Sequence, residues 1–404
     1  MIEPEQLNAD SHAAGLDQEA LLQALRAEGE AWHSMVTERC PFLFAAMPVY
    51  ISPAQLRKMY EVISAVERVV GLPGWLPAGA EKQPHSKGVF FGYDFHLNEQ
   101  GVHLIEINSN AGGAFLNKLL ADSQRDADLP GKTAAIENLE PAFLAMFRNE
   151  WLLERGSAPL NSIAIVDENP EQQYLYPEFV LAGNMLERDG LTVYIADPVA
   201  LKTREDGLYF GSEKIDMVYN RLTDFSLQQF PALNKAYQSG RAVVTPHPHA
   251  YAKYADKRNL ARLTDETLLR ALNADEADIA TLQAGVPHTF IVNAEMETAL
   301  WADRKNLFFK PHSGYGSKGT YRGMNLTRRV FAEIMQGNYV AQMLAPPGER
   351  MVRVNEAGEV SLKYDIRCYV YAGKIQLVVA RLYQGQTTNM RTPGGGFALV
   401  RVVE

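Results

Sequence analysis

The sequence predicts an α/β fold, with α+β elements, built from more than one domain. Three observations carry this. The chain has 404 residues, a length at which two or three domains are expected. Ser162-Ile163-Ala164-Ile165-Val166 is a short continuous apolar run, a helical stretch follows around residues 174–188, and Thr192-Val193-Tyr194-Ile195-Ala196 reads as the next strand. Strands alternating with helices in this way build a small parallel sheet. Residues 360–371 and 374–383 read as a hairpin turned at Ala372-Gly373, which adds antiparallel sheet.

The remaining elements follow in order. Residues 1–30 are polar and rich in Ala, Glu and Gln, with helical tendency. Ser52 can cap a helix whose first turn suits Pro53. Leu56, Met59, Ile63, Val66 and Val70 then share one face, and Gly71-Leu72-Pro73-Gly74 ends it. Val89 to Leu97 and Val102 to Asn108 read as two strands joined by Asn98-Glu99-Gln100-Gly101. Glu106 and Asn108 are two apart, so they share a face, while Ile105 and Ile107 take the other. With Asp94 on the partner strand, three oxygen-bearing side chains suit a hard cation such as Mg²⁺. A strand pair with polar residues facing solvent would read the same way. Ser109-Asn110-Ala111-Gly112-Gly113, directly after, is a loop able to approach a ligand.

Residues 130–156 read as helical, Met217-Val218-Tyr219 and Val243-Val244 as further strands, and Asp256-Lys257-Arg258 as the opening of a helix. His247 and His249 could be metal ligands, but loop histidines beside prolines are more often plain surface or turn residues. Phe308-Phe309-Lys310-Pro311 leads into Gly314, Tyr315, Gly316, Ser317, Lys318 and Gly319, then into a second short strand. The glycines leave backbone N–H groups free to approach an anion, and Lys310 and Lys318 bracket them with charge. The loop is neither a Rossmann fingerprint nor a Walker loop, because no helix opens at the third glycine and no Gly-Lys-Ser/Thr ends it. An ordinary hairpin turn shares these residues. Tyr339 to Leu344 is a strand able to present backbone groups to an adenine. Asp365 and Arg367 share one face of the first hairpin arm, and Arg381 lies on the second. A polar, glycine-rich loop from Thr387 to Gly396, carrying Arg391, follows. Arginines near a phosphate cradle suit anion binding.

The bulk properties exclude some classes. The formal net charge of −9 argues against a generic nucleic-acid or membrane surface. Two cysteines, Cys40 and Cys368, are too few for a disulfide scaffold. The acidic, polar start has no signal-peptide layout, and no apolar run is long enough to span a bilayer. A soluble cytoplasmic protein is the expectation.

Together the pieces resemble the ATP-grasp superfamily, and within it the glutathione synthetase-like ligases. Lys310-Pro311 with its glycine loop resembles the lysine and flexible loop that close over ATP phosphates. Gln342, Met343 and Leu344 resemble the hinge strand that reads adenine. Asp365-Ile366-Arg367, Arg381 and the loop from Asn389 to Gly396 resemble the Asp-x-Arg strand, the following arginine and the Asn/Gly loop. Asp94, Glu106 and Asn108 resemble the magnesium set. The region 160–260 resembles the Rossmann-like domain that precedes the grasp. The order differs from the standard family, in which the Glu-x-Asn strand follows the glycine loop. The resemblance therefore implies a circular permutation: 1–155 as the displaced C-terminal part of the ATP-grasp domain, 156–252 as the Rossmann-like domain, and 253–404 as lid and nucleotide-binding region. A second ATP-binding lysine usual in the family would fall near Asn293, which is a departure.

The resemblance implies an ADP-forming ligase that joins a carboxylate to an amine, or to a thiol, through an acylphosphate. ATP and Mg²⁺ are the implied cofactors, with Mn²⁺ an acceptable substitute. Arg367, Arg381 and Arg391 would serve the transferring phosphoryl group or grip the carboxylate, and Asn110, Asp365, Asn389 and Gly395 would face an amino acid or peptide substrate. No nucleic acid or membrane partner is implied, and a homodimer is allowed. A phosphotransferase of the same fold and a non-catalytic ATP- or peptide-binding module are the alternatives.

Overall fold

The protein is described by a computed structural model over residues 3–76, 83–314, 319–354 and 358–404. The helix Pro53–Val70 forms for local reasons. The Ser52 hydroxyl accepts from the Gln55 N–H while the Gln55 side chain accepts from the Ser52 N–H, a closed capping box. Its apolar stripe buries Met59, Val62, Ile63, Val66 and Val69 completely. Each such side chain contributes about 1.5–3 kcal/mol. The stripe packs on the strand Gly101–Asn108 and on the helix Glu276–Gly285. Gly285 makes that approach close: a Cβ there would lie 2.3 Å from Val62 Cγ2.

Behind the helix lies the largest sheet, with eight strands among the described residues. Its main path runs Val49–Ile51, Gly396–Val402, Lys374–Tyr383, Gly358–Tyr371, Phe91–Asn98 and Gly101–Asn108; Gly348–Val354 joins Gly358–Tyr371, and Lys132–Thr133 joins Gly396–Val402. The strand bearing Glu106 therefore shares a sheet with the strand bearing Asp365 and Arg367, as the Phe91–Asn98 strand pairs with both. Alternation sorts the side chains. Phe91, Tyr93, Phe95, Ile366, Cys368 and Ala380 join the core under the helix. Asp94, His96, Asp365, Arg367 and Arg381 line the cavity on the other face.

Three smaller sheets complete the fold. Val243–Thr245, Met217–Asn220, Ser162–Val166 and Thr192–Ala196 form an all-parallel sheet in that order, the α/β unit read from the sequence. Leu201–Thr203, Leu208–Phe210 and Glu213–Ile215 form a three-stranded antiparallel sheet. Thr289–Ile291, Tyr339–Met343, Leu307–Pro311 and Tyr321–Arg322 form an antiparallel lid sheet around Phe309, Phe331 and Ile334. The stretch expected to be helical from 130 begins as the short strand Lys132–Thr133, and its helix spans Leu139–Arg155. His247 accepts the Ala250 N–H and caps a short helix, in keeping with a turn residue. No described helix is long and apolar enough to cross a membrane.

Candidate active site

The lid sheet and the eight-stranded sheet face each other across a cavity of about 320 Å³. On the lid side, Lys310 is buried in the central strand Leu307–Pro311. Its ammonium donates to Gln342 Oε1 and to the Ile105 carbonyl, both at 2.9 Å. That carbonyl is available because the ladder skips a residue: Asp94 pairs with Glu106 and Phe95 with Leu104, leaving Ile105 as a bulge. Burial depresses the Lys310 pKa to about 8, against the favourable field of Glu106.

A second lysine meets the first. Lys257 follows a π-helical turn, Tyr251–Ala255, a form frequent at functional sites. Its ammonium contacts Glu106 Oε1 at 2.9 Å and the Gly314 carbonyl at 3.1 Å. Asn293 caps a 3₁₀ turn and is exposed, and the second buried cavity lysine is Lys257. Burial pushes the Glu106 carboxyl up, but Lys257 and Lys310 outweigh it and hold its pKa below the ordinary value.

The floor of the cavity is an ion-pair row. Asp94 receives Arg367 Nε and Nη2, each at 2.7 Å, Arg381 Nη2 at 2.8 Å and the Asn108 amide at 3.0 Å. Asp365 receives Arg381 Nε at 2.7 Å and Nη2 at 2.9 Å, together with the Thr388 hydroxyl. Both carboxylates are 1% exposed, so they are spent on the arginines. Burial opposes the charge of Arg381, and Asp365 and Asp94 more than restore it, raising its pKa. Arg381 Nη1 has no partner among the described residues and belongs to a side chain lining the cavity. Three carboxylates, Asp94, Glu106 and Asp365, thus face four cations, Lys257, Lys310, Arg367 and Arg381, a surplus of one positive charge suited to an anion.

This arrangement corrects the expected metal set. Asp94 does not fit a metal ligand, because guanidinium and amide donors occupy both of its oxygens. Among the described residues no group of three or more His, Cys, Asp or Glu could hold a metal ion. Glu106 and Asn108 do fit a Mg²⁺ ion that arrives with phosphates. They share the cavity wall, and Mg²⁺ takes one or two carboxylates plus phosphate oxygens in preference to an all-protein cage.

The other candidates divide. Gly314, Gln342, Met343, Leu344, Asn110, Asp365 and Asn389 line the cavity. Gly319 has φ +70°, with the Tyr339 hydroxyl 3.1 Å from where a Cβ would stand. Tyr315, Gly316, Ser317 and Lys318 lie outside the described residues. Asn110 is held by the Leu222 carbonyl at 2.9 Å. Asn389 organises its own loop, donating to Gln384 O at 2.8 Å and accepting from the Arg391 N–H at 3.0 Å. Gly319, Arg391 and Gly395 are not among the residues that line the cavity. Arg391 is exposed, and Gly395 is buried in the turn entering Gly396–Val402, where a Cβ would stand 2.5 Å from the Leu382 carbonyl. The Met343 and Leu344 N–H groups are committed to the His288 and Asn306 carbonyls, each at 2.8 Å. Lys257, His96, Phe225, Thr388 and Ala345 line the cavity without having been singled out.

No family model and no curated protein matches the sequence. The fold resembles solved structures. A glutathione synthetase-like effector from Globodera pallida, in its apo form, aligns over 100% of both chains at 10% identity with a TM-score of 0.57. A protein described as a gamma-glutamylcysteine synthetase from Methylobacillus flagellatus covers 96% of this chain and 89% of its own at 11% identity and a TM-score of 0.49. The ATP-grasp ligase PsnB, complexed with a minimal precursor, Mg and ADP, covers 59% and 88% at 15% identity and a TM-score of 0.29. Two sheets face each other across a charged cavity, beside a parallel α/β unit, and the chain shares the fold of that glutathione synthetase-like effector.

Proposed function

We propose that the protein is an ATP-dependent, ADP-forming ligase that activates a carboxylate as an acylphosphate and passes it to an amine. The observation that carries this reading is the meeting of two buried lysines, Lys310 and Lys257, with the Arg367–Asp94–Arg381–Asp365 row across one cavity. The lysines would hold phosphate oxygens. Glu106 and Asn108 would hold a Mg²⁺ ion, which when bound neutralises phosphate charge. The row keeps Arg367 and Arg381 charged and fixed, so their remaining N–H groups are aimed before the substrate arrives, the preorganisation that stabilises developing charge. In the first step a substrate carboxylate oxygen bonds to the γ-phosphorus and the bond to the β-bridging oxygen breaks, releasing ADP. In the second an amine bonds to the acyl carbon, the carbon–oxygen bond to phosphate breaks, and inorganic phosphate leaves with the amine proton. No protein nucleophile enters, consistent with two buried cysteines, of which Cys368 is held protonated by burial.

An amino acid or peptide is the proposed substrate class, and a circularly permuted order of the ATP-grasp elements is proposed with it. The test incubates the protein with ATP, Mg²⁺ and libraries of amino acids and short peptides, following ADP and a condensed product by mass spectrometry. The expected result is ADP release that requires both a carboxylate and an amine, lost in Glu106→Gln, which still folds but melts below wild type because Lys257 loses its ion-pair partner. ADP release with a phosphorylated product and no condensation would replace the ligase with a phosphotransferase. Full turnover in Glu106→Gln would remove the metal role.

A further inference from the structure

The segment Leu344-Ala345-Pro346-Pro347 connects the lid strand Tyr339–Met343 to Gly348–Val354 of the large sheet. Of its backbone donors, Leu344 N–H is bonded to Asn306 O, and Pro346 and Pro347 have none. Ala345 N–H alone remains without a partner among the described residues, and Ala345 lines the cavity beside Met343 and Leu344. The carbonyl of the same residue is gripped from below. His96 Nδ1 lies 2.6 Å from Ala345 O, and Asn98 Nδ2 donates to the next carbonyl, Pro346 O, at 2.8 Å. A carbonyl only accepts, so Nδ1 carries the proton. His96 and Asn98 are two apart on the Phe91–Asn98 strand and share the face of Asp94. One strand therefore carries both the carboxylate that fixes Arg367 and the imidazole that fixes Ala345.

We infer that His96 is a positioning residue for the nucleobase: by holding the Ala345 carbonyl it aims the one open N–H of the connector at a ring-nitrogen acceptor of a purine. The inference rests on the nucleotide reading above and adds the residue that sets base recognition. The imidazole does not touch the base's acceptor edge in this role. It removes the freedom of the peptide units either side of Ala345, so that the N–H meets the base without an ordering cost.

The test separates the base from the phosphates. Calorimetry with the full chain and Mg²⁺ measures ATP and inorganic tripolyphosphate on wild type, His96→Leu and His96→Asn. Leucine removes the donor; asparagine restores an N–H near the Nδ1 position. The expected result is ATP affinity at least tenfold weaker in His96→Leu, tripolyphosphate affinity unchanged, and recovery to within about threefold in His96→Asn. A His96→Leu protein that binds ATP like wild type overturns the inference and leaves the ligase reading standing. Equal weakening for ATP and tripolyphosphate overturns it too, since it would mark general damage to the cavity. A wild-type protein that binds tripolyphosphate but not ATP overturns the nucleotide reading itself, and the inference with it.

Discussion

Lys310 shows how a single side chain stores the site's readiness. Its ammonium is buried with two neutral acceptors, and its folded pKa of about 8 lies below the ordinary lysine value. Between about pH 8 and pH 10.4 the unfolded chain binds the proton that the native one has lost, so this group makes the apoprotein gain stability as pH rises through that window. Below pH 8 both states are protonated and the cost of burying the charge is fully present. Polyphosphate reverses the preference, because an anion favours the charged form. ATP binding near pH 8.5 is therefore expected to take up close to half a proton or more through this lysine, read as a dependence of the calorimetric enthalpy on the ionisation enthalpy of the buffer. Lys310→Met should abolish that uptake and weaken ATP binding. Uptake that persists unchanged in the variant would assign the proton elsewhere.

At the scale of elements, the strand Phe91–Asn98 is the member on which sheet, loop and connector converge. Gly92 lies where it passes under the loop after Glu106: a Cβ there would stand 2.6 Å from Ala111 Cβ and 3.0 Å from Arg367 Nε. Gly92→Ala should cost about 1–3 kcal/mol as an overpacked site, measured by urea unfolding. It should lower turnover at least tenfold while ATP affinity is kept, because the displaced group is the arginine and not a lysine. Unchanged turnover would show that Arg367 is not needed in its present place. The elements themselves were legible where their causes are local. Ser52, Gln55 and the apolar stripe specify Pro53–Val70 within one helix length, and two-residue alternation put Asp365 beside Arg367 and Glu106 beside Asn108. What escaped the sequence depends on distant partners. Asp94 looked like a metal ligand because its arginines lie 273 and 287 residues further on. Lys257 passed as a helix opening because Gly314, whose carbonyl it holds, is 57 residues away.

On the scale of the whole molecule, the two ends of the described chain meet. Leu7, from the helix Pro4–Ala9, packs with Tyr50 and Val403, and Val49–Ile51 runs parallel to Gly396–Val402. The eight-stranded sheet is thus assembled from both ends, with the parallel sheet and the lid inserted between its parts. Chains whose ends lie close together tolerate new ends elsewhere. A variant opened at Ser157, in the exposed stretch after the helix Leu139–Arg155, and closed by a short linker from Glu404 to Met1, should fold with one cooperative transition within about 2 °C of wild type, as a change of about 1–2 kcal/mol produces in a chain this long. Its order would follow the standard family. Separate melting of its parts, or failure to recover ATP binding, would argue against the proposed permutation.

The long strand Gly358–Tyr371 changes partners along one edge: Tyr364 pairs with Gly348, Ile366 with Phe95, and Asp365 stands at the changeover. The connector from the lid arrives at this seam, tethered at Ala345 and Pro346. Most surface loops absorb an extra residue at little entropic expense. Here an added residue has nowhere to go unless His96 and Asn98 let go or Gly348–Val354 slides along its neighbour. A slide of one position turns every side chain of that strand over, which would carry the fully buried Arg350, bonded to the Asn8, Asp10 and Pro48 carbonyls, out of its place. The connector acts as a ruler between two sheets, and its length is as much a part of the cavity as any charge that lines it.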